Sequence, residues 1–95
     1  MALMSDEEIE SYCSVHPEWH FIDNQLVREA TADSFLAGID WVNQVARIAE
    51  DLDHHPDIDI RWRTVRFTLS THSEDGVTQL DFELADRINE VVVAK

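Results

Sequence analysis

The sequence predicts an α+β fold in which helices pack on an antiparallel four-stranded sheet, in the order α-β-β-α-β-β-α. Three patterns support this prediction: one long stretch of helical periodicity, two pairs of short strand-like segments of which the second pair alternates, and two capping signals that open the outer helices. At 95 residues, the chain is expected to form a single domain over 1–95.

The N-terminal third predicts one helix and one hairpin. Ser5-Asp-Glu-Glu8 has the form of a capping box, so a helix is expected from there to about Val15. Two short strands are expected at 19–22 and 25–30. Asp23-Asn24 lies between them, and both residue types tolerate the left-handed conformation of a two-residue turn.

The stretch from Ser34 to about Asp53 has helical periodicity with two adjacent apolar rows. Together the rows are wider than the stripe of roughly 100° that a surface helix usually buries. The excess could rest on the first helix of the same chain or form a subunit interface, and we favour the interface. The rows are Phe35, Ile39, Val42, Ala46 and Ala49, and Trp41, Val45, Ile48 and Leu52.

Two alternating segments follow, and their parity predicts how they pair. Apolar residues occupy even positions in 58–62 and odd positions in 65–69. A turn at Arg63-Thr64 would place position 62 opposite 65 and would set His72 opposite His55. A slip of two residues would still leave His72 at the same end of the hairpin.

The last helix is predicted to begin at a second capping box, Thr78-Gln-Leu-Asp81. Its apolar stripe consists of Leu84, Ala85, Ile88, Val91 and Val92.

Charge and composition limit the classes of function. Twenty Asp and Glu against seven Lys and Arg give a formal charge of −13. Such a charge would repel phosphate backbones and anionic membrane surfaces, so neither nucleic acid nor a membrane is an expected partner. The sequence shows no long apolar run or signal peptide, and Cys13 is the only cysteine, so a cytoplasmic protein is expected.

Three of the five histidines, His54, His55 and His72, lie within nineteen residues of one another. Pro56 disfavours helical geometry at the residue before it, so the long helix should end at the histidine pair. Imidazole titrates near neutral pH, and a cluster of three suits proton transfer. Three imidazoles could also bind zinc, but adjacent histidines on an extended segment point to opposite faces, so we favour acid/base chemistry without a metal.

Nucleophilic and phosphate-binding chemistry have little support in the sequence. Cys13 falls on the apolar face of the first predicted helix, beside Ile9 and Tyr12, and there is no Gly-x-Ser-x-Gly motif. Gly38 and Gly76 are the only glycines, too few for a glycine-rich phosphate loop.

At these histidines the chain resembles the pterin-4a-carbinolamine dehydratase family. The family signature is an acidic residue, three intervening residues, His-His-Pro, an aromatic residue, a further histidine and an aspartate. Seven positions match it, and the resemblance covers nearly the whole chain. They are Glu50, His54, His55, Pro56, Trp62, His72 and Asp81.

The resemblance implies dehydration of 4a-hydroxytetrahydropterin to quinonoid dihydropterin, the recycling step that follows a pterin-dependent hydroxylase, without a cofactor or metal. Following the family, His54 and His72 would be the acid/base pair and His55 would mainly hold the pterin. The pocket would also be lined by Asp53, Ser70, Thr71 and Ser73.

Three further residues are candidates for supporting roles. Asp81 could act at the site or simply cap the last helix, and we favour the cap. Glu50, one helical turn before His54, could orient an imidazole or be solvated. Trp19 could cover the site or anchor the core, and we favour the anchor. Many family members carry a basic residue where this chain has Leu80, so one polar contact at the site edge would be missing.

The resemblance also implies a homodimer or homotetramer, built through sheet edges and the long helix. Some members of the family act as dimerisation cofactors of a transcription factor or assist the assembly of other proteins. The alternative function is therefore a non-catalytic interaction module with a protein partner.

Overall fold

The computed structural model describes residues 2–92, so the predicted domain limits at 1 and 95 lie outside the described residues. The order of helices and strands predicted from the sequence is confirmed. The elements are α1 (Asp6–Val15), β1 (His20–Ile22), β2 (Gln25–Thr31), α2 (Phe35–Leu52), β3 (Asp57–Arg61), β4 (Thr64–Leu69), a short 3-10 helix (His72–Glu74) and α3 (Gln79–Val91).

The four strands form one antiparallel sheet in the order β1-β2-β4-β3. On β4 the side chains of Val65, Phe67 and Leu69 are fully buried, while the residues between them are half-buried. This alternation is expected of a sheet with one face against helices and one toward solvent. The buried face packs with Val45 of α2 and Leu84 of α3 in a single core.

Both predicted capping boxes form. Ser5 and Glu8 exchange their two hydrogen bonds at the start of α1, and Thr78 and Asp81 do so at the start of α3. At the start of α2, the Ser34 hydroxyl accepts from the amide of Ala37 at 3.0 Å. Since these side chains occupy amides that a helix cannot satisfy itself, they determine where each helix begins.

The predicted turn between β1 and β2 is also confirmed. Asp23 and Asn24 both have positive φ angles, 52° and 63°, which two-residue hairpin turns of the favoured hand require.

The β3–β4 register differs from the prediction by two residues. The turn is Trp62-Arg63, so Ile60 pairs with Val65 and Ile58 with Phe67. Alternation alone cannot distinguish the two registers, because a shift of two residues keeps every side chain on the same face.

Contacts with the segment that links β2 to α2 accompany the observed turn. The carbonyl of Arg63 accepts from the amide of Ala32 at 2.9 Å, and Trp62 takes a left-handed conformation with φ of 55°. Strand β4 ends at Leu69, so His72 does not pair across the hairpin with His55 as predicted.

The wide apolar arc of α2 is only partly covered by the described part of the chain. Val45 and Ala49 are buried, whereas Phe35 is 50% exposed; Leu36, which belongs to neither predicted row, is 77% exposed. The Tyr12 side chain of α1 packs on α3 and not on this surface of α2, because its ring stacks on Phe82.

A polar network anchors the C-terminal end of α3 to the sheet. The side-chain oxygen of Asn89 accepts from the indole of Trp19 at 2.7 Å and from the guanidinium of Arg28 at 2.6 Å. Trp19 is 1% exposed and Arg28 is 7% exposed, so both donors are buried. Trp19 therefore occupies the core, the position favoured by its sequence interpretation.

Replacing Asn89 with alanine should lower the free energy of unfolding by about 2 kcal/mol, because two buried donors lose their shared acceptor. Asn89→Asp retains an acceptor for both donors and should lose less. Urea denaturation monitored by tryptophan fluorescence measures both changes. Asn43→Ala, at an exposed position of α2, is the control; equal losses in Asn89→Ala and Asn43→Ala would show that the network contributes nothing.

Candidate functional site

The site begins where α2 ends. Asp53 adopts a left-handed conformation with φ of 51°, and its amide donates to carbonyls in the last turn. The amide of His54 donates to the carbonyl of Ala49 at 3.0 Å, which completes the helix end. The chain then leaves the helix through His55 and Pro56, as the sequence predicted. His54 consequently turns into the protein, while His55 remains exposed.

His54 contacts the carboxylate of Asp81 at the start of α3. Its Nε2 lies 2.6 Å from Asp81 Oδ1. His54 is 8% exposed and Asp81 is fully buried. A buried, charge-assisted hydrogen bond of this length is among the stronger polar contacts in proteins, and it joins the ends of two helices.

Two threonines hold the other oxygen of Asp81. The Thr71 hydroxyl donates to Asp81 Oδ2 at 2.9 Å, and the backbone amide of Thr78 donates to the same oxygen at 2.9 Å. The hydroxyl oxygens of Thr71 and Thr78 lie 2.7 Å apart. Asp81 therefore caps α3 and contacts His54 at once, so the two roles considered for it are not alternatives.

The Asp81 contact determines which ring nitrogen of His54 remains for chemistry. Nε2 must carry a proton to donate to the carboxylate, so in neutral His54 the lone pair lies on Nδ1. Nδ1 can then accept a proton as a base, or donate one once the ring is charged.

Glu50 contacts His55 rather than His54, the residue one helical turn after it. Glu50 Oε2 lies 2.5 Å from His55 Nε2, and both side chains are more than half exposed. Glu50 can therefore orient the His55 ring, although solvent weakens the pair.

His72 is presented by a closed loop after β4. The amide of Thr71 donates to the carbonyl of Gly76 at 2.7 Å, and the reverse bond measures 3.4 Å. Asp75 takes the left-handed conformation that ends the short helix between them. The loop holds His72, which is exposed, at the end of the sheet where α2 stops.

All three histidines line one cavity of about 320 Å³. Each predicted pocket residue also lines it, together with two residues that were not assigned to the pocket, Pro56 and Asp57. Their position directly after the histidine pair was the signal that could have identified them. The lining is Asp53, His54, His55, Pro56, Asp57, Ser70, Thr71, His72 and Ser73. Trp19 and Glu50 are absent from this lining, and Asp81 contacts it through His54.

A second, smaller cavity of about 130 Å³ shares Ser70 and His72 with the first. Its remaining wall comes from the β1–β2 turn and the loop after His72, namely Asp23, Asn24, Gln25, Asp75 and Gly76.

Metal binding, cysteine chemistry and membrane insertion were also considered from the sequence. Within residues 2–92, no three His, Cys, Asp or Glu side chains are grouped so that they could hold a metal ion. Cys13 lies on α1, outside the lining of both cavities, and burial raises the pKa of its thiol. No helix in the described part of the chain is long and apolar enough to cross a membrane.

Comparison with known proteins agrees with this fold and identifies the family. The sequence profile described as pterin 4 alpha carbinolamine dehydratase matches residues 2–91, and the chain belongs to this family. A relative from Mycobacteroides abscessus is 52% identical over 94% of this chain and 95% of its own length. One from Mycobacterium avium is 51% identical over 97% of this chain and 98% of its own length. Both are named, provisionally, as pterin-4-alpha-carbinolamine dehydratases.

Two solved structures resemble the chain to different degrees. A transcriptional coactivator/pterin dehydratase from Brucella melitensis superposes with a TM-score of 0.92 at 30% identity, covering 97% of this chain and all of the other. A pterin dehydratase-like RuBisCO assembly factor of the α-carboxysome gives 0.66 at 15% identity, covering 81% of this chain and 89% of the other. The second likeness is one of fold alone.

Because burial raises the pKa of the Cys13 thiol, less thiolate should be present at pH 8 in the folded chain than in the unfolded chain. Alkylation by iodoacetamide should therefore be slower in the native protein than in urea. Mass spectrometry of timed samples measures both rates, with a short cysteine peptide as the reference under each condition. Equal native and unfolded rates would contradict the effect.

Proposed function

We propose that this protein dehydrates 4a-hydroxytetrahydropterin to quinonoid dihydropterin and water. The observation that carries the proposal is the convergence of His54, His55 and His72 on one cavity. Its volume of about 320 Å³ lies at the lower end of the range for small-molecule sites, about 300–1,000 Å³, as a two-ring substrate needs.

The chemistry requires only proton transfers. The bond from carbon 4a to its hydroxyl oxygen breaks, and an acid supplies the proton with which the hydroxyl leaves as water. A base removes the proton of the neighbouring ring nitrogen, whose electrons form the new carbon–nitrogen double bond. No electrons are gained or lost overall, so histidines can supply the required acid and base.

Of the three histidines, His54 is the best supported as a proton-transfer residue. Its ring is fixed by the buried Asp81 at 2.6 Å, which leaves Nδ1 as the nitrogen free to exchange a proton. A ring held in one orientation loses little freedom in the transition state.

We assign His72 as the second member of the acid/base pair and His55 to holding the substrate. His72 lines the same cavity from a different loop, and we infer that the two rings act on different atoms of one substrate. His55 is oriented by an exposed glutamate, which suits a binding contact. The remaining predicted lining residues, Asp53, Ser70, Thr71 and Ser73, would complete the wall of the pterin pocket.

His54→Ala should lower the catalysed rate of 4a-hydroxytetrahydropterin decay by about 10²- to 10⁴-fold, the usual contribution of a general acid or base. A stopped-flow absorbance assay measures decay over the uncatalysed background. His20→Ala is the matched control, because His20 is exposed on β1 and lines neither cavity. Wild-type protein that leaves the uncatalysed rate unchanged would reject the dehydratase and favour the alternative, a non-catalytic interaction module.

We also propose that the chain forms a homo-oligomer through an apolar end made of Phe35, Leu36, Ile60 and Trp62. These side chains are 40% to 77% exposed. Hydrogen bonds from Ala32 and Arg63 join the β3–β4 turn to the segment just before α2, which brings the four residues to one end of the molecule. Strand β3 is an edge strand, and such strands readily pair with another chain.

Light scattering coupled to size-exclusion chromatography should give a mass of two or four chains for the wild type at micromolar concentration. Leu36→Glu should shift it toward one chain, because a charge would be buried in the interface. Val15→Glu is a matched control: Val15 is 74% exposed at the end of α1, against 77% for Leu36. A monomeric wild type would disprove the oligomer.

A further inference from the structure

Behind His54 lies a chain of buried polar groups that reaches Thr78, a residue outside the cavity lining. The chain runs from the Thr78 hydroxyl to the Thr71 hydroxyl, then to Asp81, then to His54, with distances of 2.7, 2.9 and 2.6 Å. Thr78 and Asp81 are 0% exposed, Thr71 is 7% and His54 is 8%. Water therefore has little access to these hydrogen bonds.

The direction of every proton in the chain follows from the partners. The carboxylate of Asp81 can only accept hydrogen bonds, so the Thr71 hydroxyl must donate its one proton to Asp81. The proton between the two hydroxyls must then belong to Thr78. The Thr78 oxygen in turn accepts from the amide of Leu80 at 3.3 Å.

We propose that Thr78 is a positioning residue for the reaction: its hydroxyl orients Thr71, which holds the Asp81 carboxylate so that His54 keeps its proton on Nε2 and presents Nδ1 to the cavity. Hydrogen bonds in such a chain strengthen one another in a buried setting. Thr71 therefore acts through its hydroxyl on Asp81, and only its other atoms remain for the substrate.

Substitutions can distinguish the positioning role of Thr78 from its role as the cap of α3. Thr78→Ser keeps a hydroxyl in both roles. Thr78→Val removes the hydroxyl but retains the backbone amide that donates to Asp81. Ser34→Ala removes the equivalent cap from α2, at the end of that helix opposite to His54, and serves as the matched control for loss of a helix cap.

Two measurements test the proposal. The first is long-range ¹H–¹⁵N correlation of the imidazoles in labelled protein at a pH where His54 is neutral. Wild-type His54 should carry its proton on Nε2, and Thr78→Val should move its ring nitrogen shifts toward a mixture of both tautomers. Thr78→Ser and Ser34→Ala should leave the tautomer unchanged.

The second measurement is the rate of the proposed dehydration, on which this part of the inference rests. Thr78→Val should lower kcat about three- to tenfold, the size of one lost hydrogen bond, with a smaller change in KM. Thr78→Ser should restore most of kcat, while Ser34→Ala should lose stability alone.

The two measurements distinguish failure of the Thr78 proposal from failure of the proposed function. A wild-type His54 protonated on Nδ1 would overturn the chain, and so would a Thr78→Val protein with an unchanged tautomer and the kcat of Ser34→Ala. If the wild type shows no dehydration at all, the proposed function falls, while the imidazole spectra still decide whether Thr78 controls the His54 tautomer.

Discussion

The contact between His54 and Asp81 is the constraint on which the arrangement of the site depends. It joins the C-terminal end of α2 to the N-terminal end of α3, residues 27 positions apart in the chain. Asp81 is fully buried, and a buried carboxylate is costly unless donors surround it. His54, Thr71 and the Thr78 amide supply three such donors. This geometry therefore satisfies a buried carboxylate, and the proton transfer proposed for His54 depends on the same contact.

The same contact divides the two adjacent histidines into different roles. The left-handed Asp53 ends α2 and directs His54 inward, while Pro56 keeps His55 on an extended, exposed segment. One imidazole is thus fixed by a buried carboxylate and the other is oriented by a solvated one, Glu50. Membership of the pterin-4a-carbinolamine dehydratase family identifies the chemistry to test, and the buried network explains how a chain of this size can hold the His54 ring in one orientation.

Much of the fold and site could be predicted because the relevant signals are local. Helix starts were correct because a capping box lies within four residues, and the Asp23-Asn24 turn because those residue types tolerate positive φ. The predicted β3–β4 register was wrong by two residues, because a shift by an even number of residues leaves the alternation of side chains unchanged. The hydrogen bond from Ala32 to Arg63 accompanies the observed register. It joins residues 31 positions apart in the sequence and has no sequence signature.

The sequence by itself determined the order of elements, the end of α2 at the histidine pair, the apolar faces and the family, because each depends on neighbouring residues or on a fixed spacing. Only the tertiary structure decided that Asp81 both caps α3 and contacts His54, that Glu50 contacts His55, and that Thr78 is linked to His54 through Thr71 and Asp81. These pairings depend on how two helix ends and a loop pack against each other, and a carboxylate in a capping motif looks the same whether its second oxygen faces water or an imidazole.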